Sequence, residues 1–151
     1  MAHDTSTKNW IQSPEKRLRL ARDKRGLSLN QVALLAGMSV PECYDLETYV
    51  DEVATCIELA LANLCGVLGI RARELFSEEA SESKQISSEE LVARIKATLE
   101  ARGSSVSEFE ERVGFTISPA LANPSEVLSW NVDCLRFVCS EIGVKWIDAL
   151  P

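Results

Sequence analysis

The chain has 151 residues, but only one histidine, His3, and no CxxC pair. No apolar run approaches the ~20 residues that span a bilayer. Each absence excludes a class. No membrane partner is expected, and because the opening MAHDTSTKNW lacks a charged-then-apolar signal pattern, the protein is expected to be cytoplasmic. His3 has no companion for catalysis or metal binding. Cys43, Cys56, Cys65, Cys134 and Cys139 are odd in number and scattered through apolar helical pattern without interleaved histidines, so they read as buried reduced thiols. There is no Ser/His/Asp set, phosphate-cradling glycine loop or metal-spaced Cys/His cluster, and the paired carboxylates Glu110–Glu111 and Asp51–Glu52 read as solvated charges. No enzymatic activity, cofactor or metal is expected.

What the sequence does contain is centred on residues 26–47, GLSLNQVALLAGMSVPECYDLE. A helical run opens after Ser28, is predicted to place Val32, Leu35 and Ala36 on one face, and stops at Gly37. Ser39 then caps a second helix that carries Cys43 and Leu46 inward. Gly37 suits a left-handed turn, and Ala33 is small enough for two helix axes to approach closely. The pattern is a helix, a tight turn and a helix.

Upstream, Leu18, Leu20 and Arg22 lie in a helix ending at Gly26; downstream, LALANLCGVLGIRARELF gives a further helix, a turn and a short terminal helix. Through these residues the stretch from Glu15 to Phe76 resembles the Cro/repressor (XRE) helix-turn-helix family. The resemblance is carried by Leu18, Arg22 and Gly26, by Ser28, Val32, Ala33 and Gly37, by Ser39, Leu46 and Glu47, and by Leu61, Leu64, Leu68, Gly69, Leu75 and Phe76. It implies a DNA-binding transcriptional regulator, a repressor, in which Arg22 pairs with Glu47 to fix architecture. Ser39, Val40, Pro41, Glu42, Tyr44 and Asp45 of the recognition helix would then face double-stranded DNA.

Charge opens a second reading. The net charge is -7 and the isoelectric point near 4.8, yet Lys16, Arg17, Arg19, Arg22, Lys24 and Arg25 cluster on or just after the first helix. Of these, Arg17, Arg19, Lys24 and Arg25 are candidates for phosphate contact. The recognition helix itself holds acids and no strong donor pair for guanine or adenine, and Leu29 stands where the family often has a phosphate-clamping glutamine. The alternative is an acidic protein-binding module, antitoxin- or immunity-like, that masks a basic partner surface.

Residues 77–88 are polar and acidic and read as a linker; Ser87 or Ser88 offers a cap for a new run through Leu91, Ile95 and Leu99. Beyond it, a shift of 77 sets Gly26 on Gly103, Val32 on Phe109, Gly37 on Gly114 and Ser39 on Thr116, while a shift of 74 sets Gly69 on Gly143 and Phe76 on Leu150. The expected architecture is therefore all-α. It comprises a mobile tail (1–14), two tandem five-helix lambda-repressor-like helix-turn-helix units (15–76 and 89–151), and the acidic linker. The second unit is degenerate: Glu110 falls on Ala33, Leu99 on Arg22 and Pro124 on Glu47, and its TISPALANPSEV segment has two prolines and no basic residue. Pro124 would end that helix after one or two turns. Dimerisation, ligand sensing or partner docking suits this unit better, with Trp130, Phe137 and Trp146 as apolar surface.

Overall fold

A computed structural model describes residues 13–76 and 85–151 and is all-α. Residues 1–12 and 77–84, and with them most of the expected tail and linker and His3, lie outside the described residues. The first half runs α1 (Pro14–Lys24), α2 (Leu29–Ala36), α3 (Val40–Thr48), α4 (Val50–Ala54), α5 (Glu58–Leu68) and a 3-10 turn, η1 (Ala72–Leu75). The second runs α6 (Ser88–Arg102), α7 (Val106–Val113), α8 (Ser118–Ala122), η2 (Pro124–Ser129), α9 (Val132–Ile142) and η3 (Trp146–Ala149). Among the described residues no helix is long and apolar enough to cross a membrane.

Side chains start the helices. Ser28, Ser39 and Ser105 each accept a hydrogen bond from the backbone N–H three residues on, and Gln31, Glu42 and Glu108 accept from the serine N–H in return. Ser87 caps α6 by accepting from the Glu90 N–H at 3.1 Å. Each such oxygen satisfies a donor that the first helical turn leaves unpaired. Ser39→Ala should therefore cost about 1 kcal/mol, visible as a lower urea midpoint; an unchanged midpoint would mean that water serves the α3 terminus as well.

Packing corrects one assignment. In α2 the buried residues are Val32 and Ala33, with Leu29 and Ala36 packed against them, whereas Leu35 is 63% exposed and Leu34 82%. Positions 29, 32, 33 and 36 form one i, i+3, i+4, i+7 face, and at about 100° per residue Leu35 points roughly 110° away from its centre. Cys43 and Leu46 point inward as expected, and all five cysteines are unpaired thiols, Cys43, Cys65 and Cys139 fully buried.

Elements recur along the chain at fixed spacing. α5 and η1 map onto α9 and η3 at an offset of 74, and α2 onto α7 at 77. Left-handed glycines recur with them: Gly26 and Gly103, Gly37 and Gly114, Gly69 and Gly143 all have φ between 60 and 87°. The α8 region diverges. Its helix does not start at Thr116 but after Ile117, whose side chain makes no cap bond. The Glu110 carboxylate takes that role, accepting from the Ile117 N–H at 2.6 Å, the Ser118 N–H at 3.0 Å and the Ser118 hydroxyl at 2.9 Å. These bonds hold its carboxyl below the ordinary range. The helix is one turn long because Pro124 follows it closely.

The two halves share one apolar core, from Leu18, Val32 and Leu61 to Ile95, Phe109 and Leu135. At their junction the Glu58 N–H donates to the Trp130 carbonyl (2.8 Å) and the Val132 N–H to the Cys56 carbonyl (3.0 Å), with Ile57 facing Asn131. With an offset of 74, each bond is the counterpart of the other, and Ile57 meets its own counterpart. Arg73, fully buried, likewise donates to the carbonyl of its counterpart Ile147 at 3.2 Å, with Asp148 Oδ1 at 3.5 Å. The ring of Phe76 meets Trp146 edge-on at 4.9 Å. Ile86, at the end of the expected linker, is buried and donates its N–H to the Asp148 carbonyl at 2.7 Å.

Candidate functional site

The exposed face of α3 is the part of the first half that α1, α2 and α4 hold toward solvent. Cys43 and Leu46 anchor it from beneath, and the ion pair to α1 fixes its far end. Arg22 Nε donates to Glu47 Oε2 at 2.7 Å and Nη2 to Oε1 at 3.0 Å, while Nη1 reaches the Leu27 carbonyl at 2.9 Å. The carboxylate bond holds the guanidinium pKa above its ordinary value. Arg22 and Glu47 thus join the end of α1 to the end of α3, and three of the guanidinium's N–H donors are spent within the fold.

Of the six recognition-helix candidates, two are occupied by the helix itself. Ser39 Oγ accepts from the Glu42 N–H, and Glu42 Oε1 accepts from the Ser39 N–H at 2.9 Å, which holds the Glu42 carboxyl below the ordinary range. Val40, Pro41 and Tyr44 are exposed and Asp45 half-buried. Leu34 and Leu35 of α2 and Tyr49 beyond α3 are likewise exposed. A depression of about 270 Å³ beside α3 brings together Glu42, Asp45 and Glu52 with Met38, Leu46 and Ile57.

The basic residues of α1 do not act as one group. Arg19, with Lys16, borders a depression of about 410 Å³ shared with Leu29, Tyr44 and Thr48, so it lies beside α3. Arg17, Lys24 and Arg25 point to the opposite flank, toward the end of α5 and η1, where Arg17 Nη1 donates to the Glu74 carbonyl at 3.0 Å. Helical spacing separates the two sets: positions 16 and 19 share one face, 17 and 24 another. Only Arg19 of the four phosphate candidates therefore shares a surface with α3.

Between Gly26 and Ile70 the chain has no Lys, Arg or His, but six acids: Glu42, Asp45, Glu47, Asp51, Glu52 and Glu58. Glu47 is paired and Glu58 buried, which leaves four acids, of which Glu42, Asp45 and Glu52 share the depression beside α3. Among the described residues no three His, Cys, Asp or Glu side chains are grouped to hold a metal ion. The chain matches no family model, and no curated protein or solved structure is significantly similar to it.

In the second half Trp130 is buried and meets Phe115 edge-on at 5.5 Å, Trp146 is half-buried on Phe76, and Phe137 alone of the three stays largely exposed. Two residues without a role in the sequence reading, Arg73 and Glu58, are, among the described residues, the fully buried charged side chains. Arg73 gave no signal, since RAREL reads as an ordinary polar turn. Glu58 reads as a first-turn acid; its offset to Val132 was the one available hint that the position is interior.

Proposed function

We propose that the protein is a regulatory binding module on an XRE-type helix-turn-helix scaffold, and that the α3 face docks a protein partner with a basic surface. The observation that carries this reading is the basic gap from Gly26 to Ile70. Duplex DNA presents one negative charge per ~1.7 Å of axis, so a face flanked by Glu42, Asp45 and Glu52 repels it on that side. The same acids steer a cationic protein toward α3, and exposed Val40, Pro41 and Tyr44 supply apolar surface of the kind a protein interface needs.

Within this proposal the two halves are tandem copies of one five-helix unit, 15–76 and 89–151, the second no longer a reader. The recurring glycines and the reciprocal bonds at the junction support it, as do the short α8 and its lack of any basic residue. One chain then combines what two copies of a single unit would supply, and a homodimer is not needed to complete the fold.

A second reading, a DNA-binding repressor, is favoured by one feature: exposed Lys16 and Arg19 sit beside Tyr44, Thr48 and the start of α2, a corner suited to a phosphate. Titration of labelled duplex from the protein's own upstream region, with random duplex as competitor and at several salt concentrations, separates the two. No duplex binding even at low salt is expected, together with a co-purifying protein whose affinity falls about tenfold or more with Tyr44→Ala/Asp45→Ala at unchanged Tm. Specific duplex binding with a steep salt slope would overturn the protein-binding reading in favour of the repressor.

A further inference from the structure

On the flank of α1 opposite the Lys16–Arg19 corner, the helix lies against the end of α5 and the start of η1 and leaves a groove of about 730 Å³, within the range of small-molecule sites. Its floor is apolar, formed by Leu20, Leu68 and Ile70, and Leu20 is 63% exposed. Arg17, Lys24 and Arg25 line it against one acid, Glu74, which makes it a cationic groove on a chain of net charge -7.

Arg25 lies across Gly69, so close that a Cβ there would come within 2.6 Å of Nη1. Its counterpart in the second half, Arg102, donates to the Glu141 carbonyl at 2.7 Å with the Glu141 carboxylate 3.7 Å away, and the same carboxylate binds Arg112 at 3.0 Å. At the offset of 74, Glu141 corresponds to Val67. The first half thus retains the arginine at the helix end, loses the carboxylate that answers it, and places an apolar trough beside it. Among the described residues no carboxylate pairs with Lys24 or Arg25.

We propose that this groove binds a small amphipathic carboxylate, its head group on Arg25 and Lys24 and its tail on Leu20, Leu68 and Ile70. A guanidinium fork matches a planar carboxylate in two parallel bonds, and a lysine beside it adds charge. From Arg17 to Lys24 the helix spans roughly 10 Å at 1.5 Å per residue, which suits a tail of about eight to ten carbons. This site is separate from the α3 face, so it stands or falls independently of the partner assigned there.

The test is calorimetric titration of the full chain with sodium decanoate below its micellar range, with decanol and acetate as probes that keep only the tail or only the charge, and amide NMR shifts to locate the site. Decanoate is expected to bind with shifts at Leu20, Lys24, Arg25, Gly69 and Ile70, and both controls to bind at least tenfold more weakly. Lys24→Gln/Arg25→Gln and, separately, Leu20→Asn should each weaken decanoate about tenfold or more; all three positions are exposed, and Tm checks the fold. Absence of decanoate binding, decanol binding equally well, or affinity indifferent to both variants would overturn the proposal.

Discussion

Replacing Glu58 with glutamine will make the protein more stable, and the gain will grow as pH rises. Glu58 opens α5 at the junction of the two halves, its side chain fully buried and neither carboxyl oxygen within hydrogen-bonding distance of any partner among the described residues. Desolvation alone raises its pKa from the ordinary 4.5 to about 9. On α9 the titratable groups that feel the charge of Glu58 are the thiols of Cys134 and Cys139, both held above the ordinary thiol range mainly by burial; neither offers a cation. The α5 N-terminus favours the ionised form by at most about 2 kcal/mol, less than the several kcal/mol that burial of an unpaired carboxylate costs.

The sign follows from proton uptake. Below pH 4.5 the carboxyl is neutral whether the chain is folded or not, and Glu58 carries no ionisation penalty. As pH rises toward 9 the unfolded chain ionises while the folded one stays protonated, so stability is lost progressively across that window. At pH 7 the loss attributable to Glu58 is about 3 kcal/mol, from 1.36 kcal/mol per unit over some 2.5 units. Urea unfolding at pH 5, 7 and 8.5 should show a falling stability for the wild type and a nearly flat one for Glu58→Gln. Glu58→Met should be more stable still at pH 8.5, since it removes two unanswered polar atoms, and Val132, the counterpart of Glu58, shows an apolar residue buried at the equivalent position. If wild type and glutamine variant lose stability in parallel, the buried carboxyl is not the group responsible.

Residues whose role is decided within one or two helical turns were legible from the sequence. Ser28 and Ser39 open α2 and α3 as the sequence predicts, the structure adding Gln31 and Glu42 as the answering halves of two capping boxes, and Gly37 ends α2 because the chain there turns through φ 70°. Misassignments arose where a local pattern admitted two answers. Leu35 lies within reach of the Val32 face by spacing, but Leu29 and Ala33 set the centre of that face elsewhere; Thr116 stood in the cap register, but the Glu110 carboxylate reaches the same N–H groups from a helix away. The basic cluster of α1 read as one patch because its residues are contiguous, whereas the helix turns Arg17 and Lys24 away from Arg19. What was not legible is the junction itself, because Cys56–Glu58 and Trp130–Val132 meet across 74 residues through backbone groups that any side chain permits. The α3 face was legible in its chemistry, since its acids are there to be counted; the depressions flanking it depend on how α1, α4 and the start of α5 close around it.

Arg22→Ala will produce the other large effect, a loss of about 3–5 kcal/mol, the range for breaking one side of a buried ion pair. Arg22 and Glu47 side chains are 14% and 10% exposed, and the guanidinium spends three donors, two on Glu47 and one on the Leu27 carbonyl. Removing it leaves the Glu47 carboxylate desolvated at the C-terminal end of α3, where the helix dipole already disfavours a negative charge. Arg22→Lys should fall between the two, because an ammonium keeps the charge but cannot span both carboxylate oxygens and the carbonyl at once. The second half indicates the compensating pair: Leu99 and Pro124 stand at the positions of Arg22 and Glu47, Leu99 is buried, and the joint between helices is apolar there. Arg22→Met with Glu47→Leu should accordingly recover most of what Arg22→Ala loses, leaving mainly the cost of the unanswered Leu27 carbonyl, about 1–3 kcal/mol. Urea midpoints of the three variants decide it. A double variant no better than Arg22→Ala would show that the ion pair sets the angle of α3 and cannot be replaced by apolar packing, whereas an Arg22→Ala midpoint equal to wild type would remove the pair from the forces that hold the α3 face in place.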